Sequence, residues 1–222
     1  MSNGADNGTE LLGCLIRGGE KAVADFSELS GGEWFDEAPE YFLTTYLASS
    51  IRKLEKTCAL LEVHVGETRQ EAGANRRGRP ANNERRNGRF DFVVYWANGN
   101  PRGVIEVKSP LWVVDENKLR PDFERLCTSI SANRNSSLQF GVFAYYASVS
   151  DPKRKHTNAS GKLRELIDNI HGRAVDYADE RDLAAVSWPG PIHRGKEDGD
   201  GAWCLAVIVF TQKGGEQYFQ SR

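Results

Sequence analysis

The chain is expected to be an α/β protein, with one mixed β-sheet flanked by helices. Three observations lead there. Apolar strand-like runs alternate with segments of helical periodicity, in the order α-β-β-β-α-β and then α-β. Two of the strand runs are joined by Asn98-Gly99, the favoured dipeptide of a tight hairpin, so part of the sheet is antiparallel. At 222 residues the chain is long enough to bury one substantial core.

Residues 1–37 read as an N-terminal extension, partly disordered, and 38–222 as a single domain. Within 9–37 the helical pieces are short and broken by Gly18-Gly19 and Gly31-Gly32. A firm helix follows over 38–56. Leu43, Leu47, Ile51 and Leu54 recur at helical spacing, Glu40 shares their face, and Pro39 suits the first turn. ALLEVHV (59–65) is a strand, followed by a polar, arginine-rich connection. The hairpin strands span 89–96 and 102–108. Asp115 or Pro121 opens a helix to about residue 133. LQFGVFAYYA (138–147) is a strongly apolar strand, 150–161 a loop and 162–178 a helix. Residues 188–201 form an irregular loop, and AWCLAVIVFTQ (202–212) is a buried strand.

The hairpin RFDFVVYWANGNPRGVIEVKSP carries charge where a core strand usually excludes it. A two-residue type I′ turn at Asn98-Gly99 sets Asp91 opposite Glu106 and Arg89 opposite Lys108. Strand side chains alternate, so these four share one side, and Phe90, Phe92, Val94, Ile105 and Val107 take the other. Two carboxylates at cross-strand distance repel unless a proton or a cation intervenes. An oxygen-only site of this kind suits Mg²⁺, which binds through one or two carboxylates plus waters and phosphate oxygens. Lys108 is placed to hold an attacking water or help deprotonate it. Asp/Glu-x-Lys occurs three times, but Glu116/Lys118 and Asp151/Lys153 lie in turn or loop contexts, where they are solvated surface. An exposed ion-pair ladder is the alternative reading of the hairpin itself.

No apolar run is long enough to span a membrane, and the polar start MSNGADNGTE is unlike a signal peptide, so a cytoplasmic protein is expected. Cys14, Cys58, Cys127 and Cys204 have no metal-ligand spacing and read as free thiols. No phosphate-binding loop or serine-hydrolase elbow is present in the sequence. Net charge is only −2, so any nucleic-acid affinity must be local. Arg76, Arg77, Arg79, Arg85, Arg86 and Arg89 stand against the single acid Glu84, and that stretch is the candidate nucleic-acid contact. Its Arg77-Gly78-Arg79-Pro80 resembles a minor-groove AT-hook core, although sequence-independent phosphate contact is favoured. Trp112, just beyond Lys108, is a further candidate contact.

A strand aspartate, then Glu-x-Lys on the next strand, behind a helix bearing glutamate, resembles the PD-(D/E)XK nuclease superfamily. The likeness covers residues 38–147, and RFDFVVYW…PRGVIEVK is similar to nuclease domains of restriction enzymes. It implies a restriction-endonuclease-like αβββαβ core with an added C-terminal helix and strand. It implies metal binding by Asp91 and Glu106, joined by Glu40 with Glu37 in reserve, and Lys108 acting on the nucleophilic water. The implied cofactor is Mg²⁺, with Mn²⁺ as a substitute. The implied substrate is double-stranded DNA, cut to 5′-phosphate and 3′-hydroxyl ends in restriction, anti-phage defence or repair. One departure stands out. Several members carry Gln or Lys on the next helix, but no Gln lies between Ser109 and Leu138, where Lys118 or Arg125 could serve in its place. Inert members exist, so a nucleic-acid-binding or assembly module with this fold is the second reading. A homodimer, or a partner protein in a larger complex, is compatible with either.

Overall fold

The computed structural model describes residues 6–74, 88–131, 135–150, 158–195 and 201–219. In chain order the elements are α1 (Asp6–Ser30), α2 (Glu40–Ile51), β1 (Thr57–His64), α3 (Val65–Glu71), β2 (Arg89–Trp96), β3 (Pro101–Leu111), α4 (Glu116–Ser131), β4 (Phe140–Ser150), α5 (Ala159–Asp179), β5 (Leu183–Pro189), β6 (His193–Arg194) and β7 (Gly201–Gln212). The sheet has seven strands in the order β1-β2-β3-β4-β7-β5, with β6 also on β7. Among the described strands only β3 and β4 pair in parallel, and α4 makes the crossover between them. The expected mixed sheet flanked by helices is therefore present.

Strand β4 lies between β3 and β7 with a packed core on each face, and its run 140–147 holds only glycine, aliphatic and aromatic residues. Alternate residues enter opposite layers. Phe143 and Tyr145 join a core with α4 and α5, while Val142, Ala144 and Tyr146 join a second core with α1 and α2. Side-chain caps close the starts of α4 and α5. The Asp115 carboxylate accepts from Asn117 N at 3.0 Å, and the Asn158 side chain accepts from Gly161 N at 3.1 Å.

Several expectations are corrected. Residues 9–37 are not broken helical pieces, because α1 runs unbroken through Gly18-Gly19. These glycines are contact points. A Cβ on Gly18 would fall 2.7 Å from Ser50 Oγ, and one on Gly19 would fall 2.6 Å from Leu205 Cδ1. Bare backbone lets α1 press onto α2 and β7 at once, and Leu11, Leu12, Leu15 and Ile16 are buried there. The described part of the supposed extension thus belongs to the core. The helix expected over 38–56 is α2 alone, with Pro39 as its N-cap residue rather than inside its first turn. Short α3 falls where a connection was expected, and strand β5 lies mostly in a stretch to which no element was assigned.

The hairpin turn also differs. Gly99 N bonds to Trp96 O at 2.9 Å and Trp96 N to Asn100 O at 3.0 Å. Only Gly99 takes a positive φ there (83°), so this is a three-residue loop ending on glycine, not a type I′ pair. A bulge between Val94 and Tyr95 takes up the difference, and Phe92–Ile105, Val93–Val104 and Val94–Gly103 keep the expected partners. Beside this hairpin Glu62 adopts φ 54° and drops out of the β1–β2 ladder. Phe90, expected with Phe92 and Val94, packs in the α4/α5 core instead.

Candidate active site

Strand alternation brings Glu106 and Lys108 to the α4 side of β3. Backbone pairing of β2 with β3 ends at Phe92–Ile105. Beyond it the Asp91 carboxylate takes over, accepting from Val107 N at 2.6 Å. The Asp91–Glu106 and Arg89–Lys108 ladder pairs are therefore replaced by a side-chain bridge, which still sets Asp91 beside Glu106. Glu40, the first residue of α2, arrives from the other layer. Its Oε2 accepts from Ser109 N at 3.0 Å and lies 3.6 Å from Lys108 Nζ. The four residues singled out as catalytic (Glu40, Asp91, Glu106 and Lys108) thus converge.

Helix α4 adds two more. Lys108 Nζ is 3.5 Å from Asp122 Oδ2, and Arg125 Nη2 bonds to Asp122 Oδ1. Arg125 Nε sits 2.8 Å from Glu106 Oε1. That contact is close but off the line of a hydrogen bond, so both atoms remain without a hydrogen-bond partner although buried. Asp122 Oδ2 is likewise buried without a hydrogen bond. Four carboxylates face two cations, an excess of two negative charges if all are ionised.

The electrostatics follow from burial. Glu106 is only 3% exposed, and loss of water drives its carboxyl well above the usual range despite Arg125. Burial likewise pushes Asp91 up to about 6, against the stabilising Val107 N–H, with Glu40 adding repulsion. For Lys108 burial favours the neutral amine, but Asp122, Glu40 and Asp91 outweigh it and hold the ammonium above its ordinary value. A lysine kept charged can donate hydrogen bonds and offset negative charge, but it cannot accept a proton.

The site fits a divalent cation through two of its features. Its donors are all oxygen, and two buried carboxylate oxygens lack hydrogen bonds. Among the described residues no three His, Cys, Asp or Glu side chains form a ready cage. Mg²⁺ needs no such cage, since it keeps waters and shares phosphate oxygens.

Other candidates lie apart. Glu37 is exposed on the turn Phe35–Glu37. Arg89 is exposed at the start of β2, with Nη1 3.9 Å from Glu62 Oε2. Arg76, Arg77, Arg79, Arg85 and Arg86 lie outside the described residues. Trp112 is 56% exposed, yet its indole N–H donates to Asp36 Oδ2 at 3.0 Å, which anchors the ring beyond the end of β3. Asp122 was missed. The signal for it was present in PDFERL, where an i, i+3 pair puts Asp122 and Arg125 on one helix face.

No family model, curated protein or solved structure matches the chain. Function must therefore be argued from this site. Among the described residues no helix is long and apolar enough to cross a membrane.

Proposed function

We propose that the protein is a metal-dependent endonuclease that hydrolyses phosphodiester bonds in DNA, in the manner of the PD-(D/E)XK nucleases its hairpin resembles. The observation that carries this reading is the convergence of Asp91, Glu106, Lys108 and Glu40 on one buried, acid-rich centre. Structural ion pairs are normally balanced, whereas this centre has surplus carboxylate and orphaned oxygens.

In this reading Asp91 and Glu106 hold Mg²⁺ or Mn²⁺, and Glu40 joins directly or through water. A bound divalent ion supplies positive charge to the phosphoryl oxygens and the leaving oxygen. The Val107 N–H fixes the Asp91 carboxylate, so that ligand is set before substrate arrives. The Ser109 N–H does the same for Glu40. Charged Lys108 orients the attacking water and stabilises the negative charge that develops at phosphorus. DNA backbone contact is assigned to the arginines of 76–89, and anchored Trp112 offers a flat apolar surface beside the site.

The test is nicking of supercoiled plasmid with Mg²⁺ or Mn²⁺ by wild type, Glu106→Ala and Lys108→Ala. Metal-dependent cutting that disappears in both variants supports the nuclease and its site together. Equal cutting by all three rejects the site. Salt-sensitive DNA binding without any cutting would instead favour the inert binding module.

A further inference from the structure

The geometry points to Arg125 as a built-in competitor of the catalytic metal, one that is passed from Glu106 to the scissile phosphate when the ion binds. This rests on the nuclease reading above and adds a residue and an order of events to it.

Arg125 Nε lies 2.8 Å from Glu106 Oε1, the buried oxygen that a divalent cation needs. Guanidinium and ion cannot both occupy that oxygen's open side. The present contact is held by charge alone, because the N–H is not aimed at the oxygen. Such a pair gives way to a better-coordinated cation more readily than a fork of parallel hydrogen bonds does.

Asp122 keeps the displaced arginine in place. It lies one turn before Arg125 on α4 and binds Nη2 through Oδ1. The guanidinium thus retains a partner after leaving Glu106. Asp122 also faces Lys108 Nζ at 3.5 Å through its other oxygen. One buried carboxylate therefore positions two cations side by side at the mouth of the site. Once freed, a guanidinium offers planar paired donors that match two phosphoryl oxygens, which the Lys108 ammonium cannot do. In this view Arg125 fills the place left by the absent glutamine, with two duties. It covers the acid centre before the ion arrives, and it clamps phosphate afterwards.

The first measurement is Mn²⁺ titrated calorimetrically into DNA-free wild type, Arg125→Gln and Arg125→Lys, with Glu106→Gln as the site control and a thermal melt on each. Removing the competitor should tighten Mn²⁺ binding by about tenfold in Arg125→Gln and by less in Arg125→Lys, whose shorter head cannot span Asp122 and Glu106 together. Plasmid nicking at saturating Mn²⁺ should fall by about a hundredfold in Arg125→Gln even though the ion is held more tightly. If Arg125→Gln fails to fold, Arg125→Lys decides. Mn²⁺ binding no tighter than wild type in any folded variant overturns the competition. Tighter binding with undiminished nicking overturns the transfer to phosphate. If wild type and Glu106→Gln bind Mn²⁺ alike, the metal site itself is wrong and the nuclease reading falls with it. If wild type outbinds Glu106→Gln, any failure belongs to Arg125 alone.

Discussion

Two arginines, at opposite ends of the region around β3, are drawn out of water in different ways. Arg102, near the start of the strand, is 5% exposed, and burial pulls its pKa down. It is held by flat carbon surfaces, with its guanidinium 4.0 Å from the Trp96 ring centre and 5.7 Å from that of Phe140. Arg125 is held by carboxylates, Glu106 and Asp122. The first site disposes of a cation by packing. The second gathers more acid than its cations can balance. A buried arginine here is thus no sign of chemistry in itself, and the surplus of carboxylate around Glu106 is what marks a site.

The sharpest break of this comparison is catalytic. Asp91→Asn and Glu106→Gln should each lower metal-dependent plasmid nicking by about a thousandfold or more, read from initial rates. Arg102→Met should leave that rate unchanged. A comparable loss from Arg102→Met would mean that the two ends of β3 are not functionally distinct.

Stability comes next. Arg125→Met strips the partner from buried Glu106 and should cost about 3–5 kcal/mol in urea melts of the metal-free protein. Arg102→Met replaces a desolvated cation by an apolar chain of similar length and should shift stability by less than about 1 kcal/mol. Equal costs would show that Arg102 is paired as firmly as Arg125.

A smaller effect is tied to pH. Asp91 is raised from 3.8 to about 6, so the fold favours its protonated form. That contribution is fully present below about pH 4 and is lost as pH rises through about 6. The metal-free protein should lose about 3 kcal/mol as pH rises through this window, through Asp91. Asp91→Asn should flatten that part of the profile and melt higher than wild type at mildly alkaline pH, as followed by circular dichroism in chelator. A profile unchanged by the substitution would remove Asp91 from the charged centre. The smallest effect belongs to Arg89. Its exposed pair with Glu62 at 3.9 Å should be worth under about 0.5 kcal/mol, so Arg89→Ala should barely move the melt.

Much of this centre was legible in the sequence because it rests on a short-range rule. Alternation alone puts Glu106 and Lys108 on one face, and the neighbouring strand supplies Asp91. Glu40 followed from the helical stripe of α2. The pairing of Arg125 with Glu106 depends on how α4 lies across the sheet, which no local pattern encodes. Gly18-Gly19 misled for a related reason. Local propensity counts glycine as a helix breaker, and only close packing on Ser50 and Leu205 makes a glycine helix favourable. Strand β5, alanine-rich and ending in proline, carries little strand propensity of its own and forms because β7 offers it an edge.

The seating of α1 bears on how the molecule is made. Gly19 packs on Leu205 of β7, and Gly8 backs onto the carbonyl of Tyr218. Helix α1 is therefore translated well before β7, the strand on which it packs. Until β7 arrives, β4 lacks one neighbour and α1 lacks its floor, although the residues of the acid centre have already been translated. Contacts this distant in sequence delay completion of the sheet until β7 has emerged. A ribosome stalled before β7 would hold a chain containing Asp91, Glu106, Lys108 and Arg125 whose supporting sheet is unfinished.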